Sequence, residues 1–154
     1  MKRYLDLVQD CRSTVPELFP WDLEERLKHD PPPLLLDVRE PAEFAKARID
    51  GSINVPRGIL EGSCEWGYEE TVPELVQARD REVIIVCRSG YRSLLAGLTL
   101  QLMGYADVKS LKTGLSGWAD CEQPLVDEQA RLLDEEEAEE LFETRVRKEQ
   151  LRPT

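Results

Sequence analysis

The segment V-I-I-V-C-R-S-G-Y-R-S, residues 83–93, concentrates the chemistry of this chain. Four β-branched residues end at Cys87. A short loop containing Gly90 follows, and the apolar run SLLAGLTLQLM reads as a helix stopped by Gly104. In parallel α/β sheets, ligands bind at that edge, beyond the carboxyl ends of the strands. The first amides of a helix have no intrahelical acceptor, and with the loop amides they can cradle an anion. A thiol placed at the mouth of such a cradle ionises more readily, because the thiolate is the anion the cradle prefers. Arg88 and Arg92 add two cationic donors suited to an oxyanion such as thiosulfate. Gly90 permits a backbone geometry closed to side chains. Ser89 and Ser93 offer hydroxyls to sulfur or substrate, and Tyr91, at the loop tip, is expected to face the pocket entrance. Taken alone, a cysteine after VIIV packs as a small hydrophobe. Followed by R-S-G-Y-R-S and a helix, Cys87 reads as the nucleophile. A thiolate held this way needs no neighbouring base, which suits a chain whose single histidine, His29, lies beside Asp30 and a proline run.

The elements that must position this loop are legible around it. LLLDV (34–38), INV (53–55), VIIV and ADVKSL (106–111) read as strands, and ELF (17–19) as a short extended piece. Helices are expected over 21–29 with Asp22 as N-cap, over 40–48 with Pro41 in the first turn, and over 71–79 capped by Thr71. Residues 1–15 suggest a docking helix carrying Leu5, Leu7 and Val8, and 56–71 a long loop bearing Cys64, Trp66 and Tyr68. The alternation predicts an α/β domain with a parallel sheet covered on both faces. From residue 127 onward the chain turns acidic, with ten acids and five bases, which is -5 of the net -11. Asp134 and Glu137 fit a capping box ahead of a stripe of Ala138, Leu141, Phe142 and Val146, with bases at the helix end. Such a helix is expected to pack on the domain or protrude from it. A partner-docking helix is the sharper alternative.

These segments resemble the rhodanese family over roughly residues 20–126. LLLDVREPAEF (34–44), with Asp37, Arg39, Glu40 and Phe44, is similar to its first signature. ARIDGSINVPRG (47–58) is similar to its G-H-I-P-G-A-I-N-V-P, although Arg48 and Asp50 depart from it. VIIVCRSGYRS resembles the active-site loop, and LKTGLSGWADCEQPLV (111–126) the closing segment, in which Trp118 reads as core. The resemblance implies a parallel five-stranded sheet with helices on both faces. It places an N-terminal helical extension at 1–19 and an acidic C-terminal one at 127–154. It implies sulfur transfer through a Cys87 persulfide, from thiosulfate or a persulfide donor to an acceptor such as a protein thiol. Asp37 and Arg39 are supporting residues, expected as an ion pair near the loop. No organic cofactor or metal is implied.

Composition bounds the rest. The chain has 154 residues, 41% hydrophobic and 33% charged, enough for one domain with a core. A net charge of -11 repels nucleic acid and anionic membranes. No apolar run of membrane-spanning length or signal pattern is present, so the expected location is the cytoplasm. Cys11, Cys64, Cys87 and Cys121 form no C-x-x-C pair, which argues against zinc. Cys64 reads either as a second thiol able to attack or pair with Cys87, or as a loop cysteine without a role. Two rivals use the same fold. A phosphatase or arsenate reductase needs an arginine six positions after the cysteine, where this chain has Ser93 and its arginine is Arg92. A non-catalytic or redox interaction module would keep partner binding in a Cys87→Ser variant that lost all sulfur transfer.

Overall fold

Every strand of the sheet runs in one direction. The computed structural model describes residues 1–154. β1 (Glu17–Leu18), β2 (Leu34–Asp37), β3 (Ile53–Asn54), β4 (Glu82–Val86) and β5 (Asp107–Leu111) form one parallel sheet in the order β1-β5-β4-β2-β3. Asp37 pairs with Val86 and Ile85 with Ser110, so the carboxyl ends of β2, β4 and β5 share one edge. The edge strand β1 lies within the stretch read as an N-terminal extension.

Strand period two divides the core. Leu36, Ile85 and Val108 face one side, with Leu75, Ala96 and Leu100. Leu35, Ile84, Val86 and Leu111 face the other, with Leu23, Leu115 and Trp118. The first side is covered by α4 (Leu60–Ser63), α5 (Pro73–Val76) and α6 (Tyr91–Leu102). The second is covered by α2 (Pro20–Arg26) and α7 (Gly114–Asp120), and Leu141 and Phe142 of α8 (Glu135–Phe142) pack against it. α1 (Tyr4–Arg12) packs on α6, and α3 (Pro41–Lys46) follows β2. No helix is long and apolar enough to cross a membrane.

Several local expectations are corrected. α2 starts earlier, at Pro20, and Asp22 is not its N-cap. Its carboxylate accepts from the Phe19 amide at 3.0 Å, as an acid in the first turn does. α5 follows Val72 rather than Thr71 and is a single turn. Residues 57–63 are helical, not loop. In α1 the docking residues are Val8 and Cys11, joined by Val15 and Leu94, while Leu5 and Leu7 face solvent. α8 has the expected capping box, with Asp134 and Glu137 bonding each other's amides at 2.9 and 2.8 Å. It stops at Phe142, leaving Val146 exposed. The carbonyls that a longer helix would offer to residues 146 and 147 are taken by Arg88.

Candidate active site

β4 delivers Cys87 to the sheet edge, and the chain turns at once into α6. Two features hold the intervening loop. Gly90 has φ +89, and a Cβ there would lie 3.1 Å from Leu111 O and 3.2 Å from Thr113 N. On the outer side, Cys87 O accepts from Leu115 N at 2.8 Å and Arg88 O from Ser116 N at 2.9 Å. The first turn of α7 thus holds the loop carbonyls outward. Gly114, at φ +60, makes that approach possible, because a Cβ would meet Cys87 O and Arg88 O at 2.5 Å.

With those carbonyls fixed, loop amides turn toward the sulfur. Cys87 Sγ accepts from Gly90 N at 3.1 Å and Ser93 N at 3.3 Å, and lies 3.3 Å from Ser93 Oγ. Ser93 Oγ is 2.7 Å from Ser110 Oγ, a residue the motif reading did not single out. The amides of Arg88, Ser89, Tyr91 and Arg92 have no acceptor within the chain.

The thiol is not at the mouth of the cradle, as expected, but on its floor, with no exposed surface. The loop wraps the sulfur too closely to leave it open. The other loop residues form the rim. Arg92 makes a bidentate pair with Glu43 of α3 at 2.8 and 2.9 Å, which holds the Glu43 carboxyl below its ordinary value and raises the guanidinium. Arg88 donates to Phe142 O and Glu143 O, both at 3.0 Å. Both arginines, read as free for an oxyanion, are therefore engaged. Arg88 meets only carbonyl dipoles there and keeps its full charge. Tyr91 meets Tyr4 edge-on, ring centroids 5.8 Å apart, rather than standing free at the entrance. Ser89 is exposed at the tip. A cavity of about 170 Å³ adjoins the loop, with Arg88, Lys46, Arg39, Glu43 and Phe142 among its walls.

Asp37 and Arg39 form the expected ion pair, fully buried at the end of β2. Arg39 Nε and Nη2 reach the carboxylate at 3.0 and 2.8 Å, and Nη2 also donates to Ala47 O at 2.6 Å. Asn54 Nδ2 donates to the carbonyls of both residues at 3.0 and 2.9 Å. Val38 N donates to Val86 O at 3.1 Å, so this braced turn borders the residue before Cys87.

Cys64 is not on a mobile loop over the site. It caps α4 in the same apolar cluster as Cys87, and all four cysteines are free. Burial pushes its thiol up, and the Tyr105 hydroxyl offsets part of that. Trp66 and Tyr68 point to solvent. Trp118 is core, its Nε1 donating to Pro124 O at 2.9 Å. No cluster of three metal-ligating side chains is found.

The family model for the rhodanese-like domain matches residues 20–121. The chain belongs to the rhodanese-like family. Within it, the chain is 34% identical over 104 residues to a sulfurtransferase of Allochromatium vinosum, covering 68% of this chain and 88% of that one. The rhodanese-related protein of Thermoplasma volcanium superposes with a TM-score of 0.58 at 27% identity, covering 72% of this chain and 97% of that one. A Rhodopseudomonas palustris protein of unknown function, described as a possible tyrosine phosphatase, superposes with a TM-score of 0.71 at 26% identity, covering 80% of this chain and 94% of that one.

Proposed function

We propose that the protein is a sulfurtransferase that moves sulfane sulfur, from thiosulfate or a persulfide donor to a thiophilic acceptor, through a persulfide on Cys87. Family membership supports sulfur transfer in general. One observation carries the finer reading: two amides and a hydroxyl converge on a single sulfur atom at the tip of a central strand. Gly90 N and Ser93 N both donate to that sulfur, and such a loop is the kind of amide cradle a sulfur nucleophile uses.

The Cys87 thiolate attacks the outer sulfur of thiosulfate. A Cys87 S–S bond forms as the thiosulfate S–S bond breaks, and its electron pair leaves with sulfite. A nucleophilic acceptor, cyanide or a thiol, then bonds to the outer sulfur. The pair of the breaking bond returns to Cys87, which is again a thiolate. A thiolate resting state makes proton removal unnecessary before attack. Donor entry requires the rim to open, because the sulfur starts buried. Arg88 and Lys46 border the adjoining cavity and supply charge for an anionic donor. A physiological acceptor would be a small thiol or a protein thiol, since a net charge of -11 disfavours nucleic acid and anionic membranes. The same reading places the protein in the cytoplasm, where four free cysteines stay reduced.

Phosphoryl chemistry fits the loop less well. Arg92 stands five positions after Cys87 and is tied to Glu43, and position 93 holds a serine turned to the sulfur. Thiocyanate formation at varied thiosulfate and cyanide is expected to give parallel double-reciprocal lines, the pattern of a covalent intermediate. Hydrolysis of an aryl phosphate is expected to be absent. Intersecting lines, or phosphate release, would contradict the proposal.

A further inference from the structure

Ser110 is the residue of β5 that packing does not explain. Val108 and Ser110 share a face of the strand, and the register pairs Val108 with Val83 and Ser110 with Ile85, so Ser110 lies on the face that carries Cys87 one step further along β4. The cluster on that face is otherwise apolar, with Cys64, Cys87 and Tyr105 among its aliphatic residues, yet Ser110 is fully buried. A buried hydroxyl costs stability unless it is bonded. The side-chain partner it has is Ser93 Oγ at 2.7 Å, and Ser93 is the hydroxyl that touches Cys87 Sγ. Sulfur and two hydroxyls therefore form a chain running inward from the loop.

We infer that Ser110 is a positioning residue for the Cys87 thiolate, acting through Ser93. This deepens the sulfurtransferase reading and rests on it for its purpose. The argument is donor and acceptor bookkeeping. With an anionic sulfur, Ser93 donates to Sγ and its lone pairs accept from Ser110, so every hydroxyl proton has an acceptor. With a protonated sulfur, the S–H donates to Ser93 Oγ and Ser93 turns to Ser110. The Ser110 proton then loses its side-chain acceptor. The chain is complete only in the anionic state, and in that state each bond polarises the next. Ser110 also sets the rotamer of Ser93 by giving its oxygen a fixed donor behind it.

The charged and titratable groups around the loop stay the same when Ser110 changes. They are Arg88 and Arg92 on the loop, Glu43 and Lys46 on α3, Asp37 and Arg39 at the end of β2, Tyr4 on α1, Tyr91 on α6, and Lys112 after β5. A shift in Ser110→Ala is therefore assignable to the hydroxyl.

The test is a pH titration of thiolate ultraviolet absorbance, with a Cys87→Ser chain subtracted to isolate one sulfur. Ser110→Ala is expected to move the midpoint upward, leaving about threefold less thiolate at a fixed pH below it. Ser110→Thr, which keeps the hydroxyl, is expected to titrate as the unchanged chain. In a Ser93→Ala background, Ser110→Ala is expected to add nothing, because the intermediary is gone. A Ser110→Ala midpoint equal to that of the unchanged chain overturns the inference, as does an equal shift with and without Ser93. Thermal unfolding of each variant separates a packing loss from a relay loss. The titration needs no sulfur donor, so failure of sulfur transfer in the unchanged protein would count against the proposed reaction and not against this relay.

Discussion

Replacing Cys87 by serine is expected to reduce sulfur transfer to the rate of the protein-free control while leaving the fold intact. The substitution is nearly isosteric, and a serine oxygen can accept from Gly90 N and Ser93 N as the sulfur does. Unfolding should therefore change little. What disappears is chemical. A hydroxyl with no base beside it stays protonated near neutral pH, and His29, the one histidine, is exposed beyond α2. The three other cysteines do not take over. Cys11 and Cys64 are buried thiols that burial makes harder to ionise, and Cys121 lies exposed after α7 without a loop around it. Thiocyanate formation by Cys87→Ser checks this, and residual turnover above about one hundredth of the unchanged rate would move the nucleophile elsewhere.

The second large effect is on stability. Asp37→Ala is expected to destabilise the protein by about 3–5 kcal/mol, because it leaves the Arg39 guanidinium buried without its counter-charge. Ala47 O remains as an acceptor but carries no charge. The loss should reach the active loop, since Asp37 pairs with Val86 and the following turn is bonded to the Val86 carbonyl. Replacing both partners, Asp37→Ala with Arg39→Met, is expected to recover part of the loss, as the buried charge is gone. Denaturant unfolding of the single and double variants measures both. A single-variant loss below about 1 kcal/mol would mean that water reaches Arg39 and that the pair braces nothing.

The loop was legible because its parts are contiguous. Strand, cysteine, glycine and helix occupy residues 83–103, and each carries its own local signal. The sheet followed from short apolar runs at regular spacing, and Asp37 with Arg39 from their resemblance to the family signature. The partners reached across long stretches of chain were not legible. Glu43 meets Arg92 across 49 residues, and Phe142 O meets Arg88 across 54. One of those acceptors is a carbonyl, which no side-chain pattern reveals. Ser110 looked like an ordinary strand residue until register placed it beside Ile85. The depth of Cys87 was hidden for a related reason: a motif names the residues of a loop but not how tightly its backbone closes on the sulfur. α8 ends at Phe142, where Arg88 bonds the carbonyls of residues 142 and 143, a long-range partner that local helix propensity does not reveal.

The claim beneath all of this is that the loop amides hold an anionic sulfur on Cys87 that can accept a second sulfur atom. Intact mass spectrometry after incubation with thiosulfate, followed by peptide mapping, tests it directly. The expected result is one added sulfur atom per chain, located on Cys87, removed by cyanide and absent from Cys87→Ser. No added mass, or a sulfur found on Cys11, Cys64 or Cys121 instead, would contradict it.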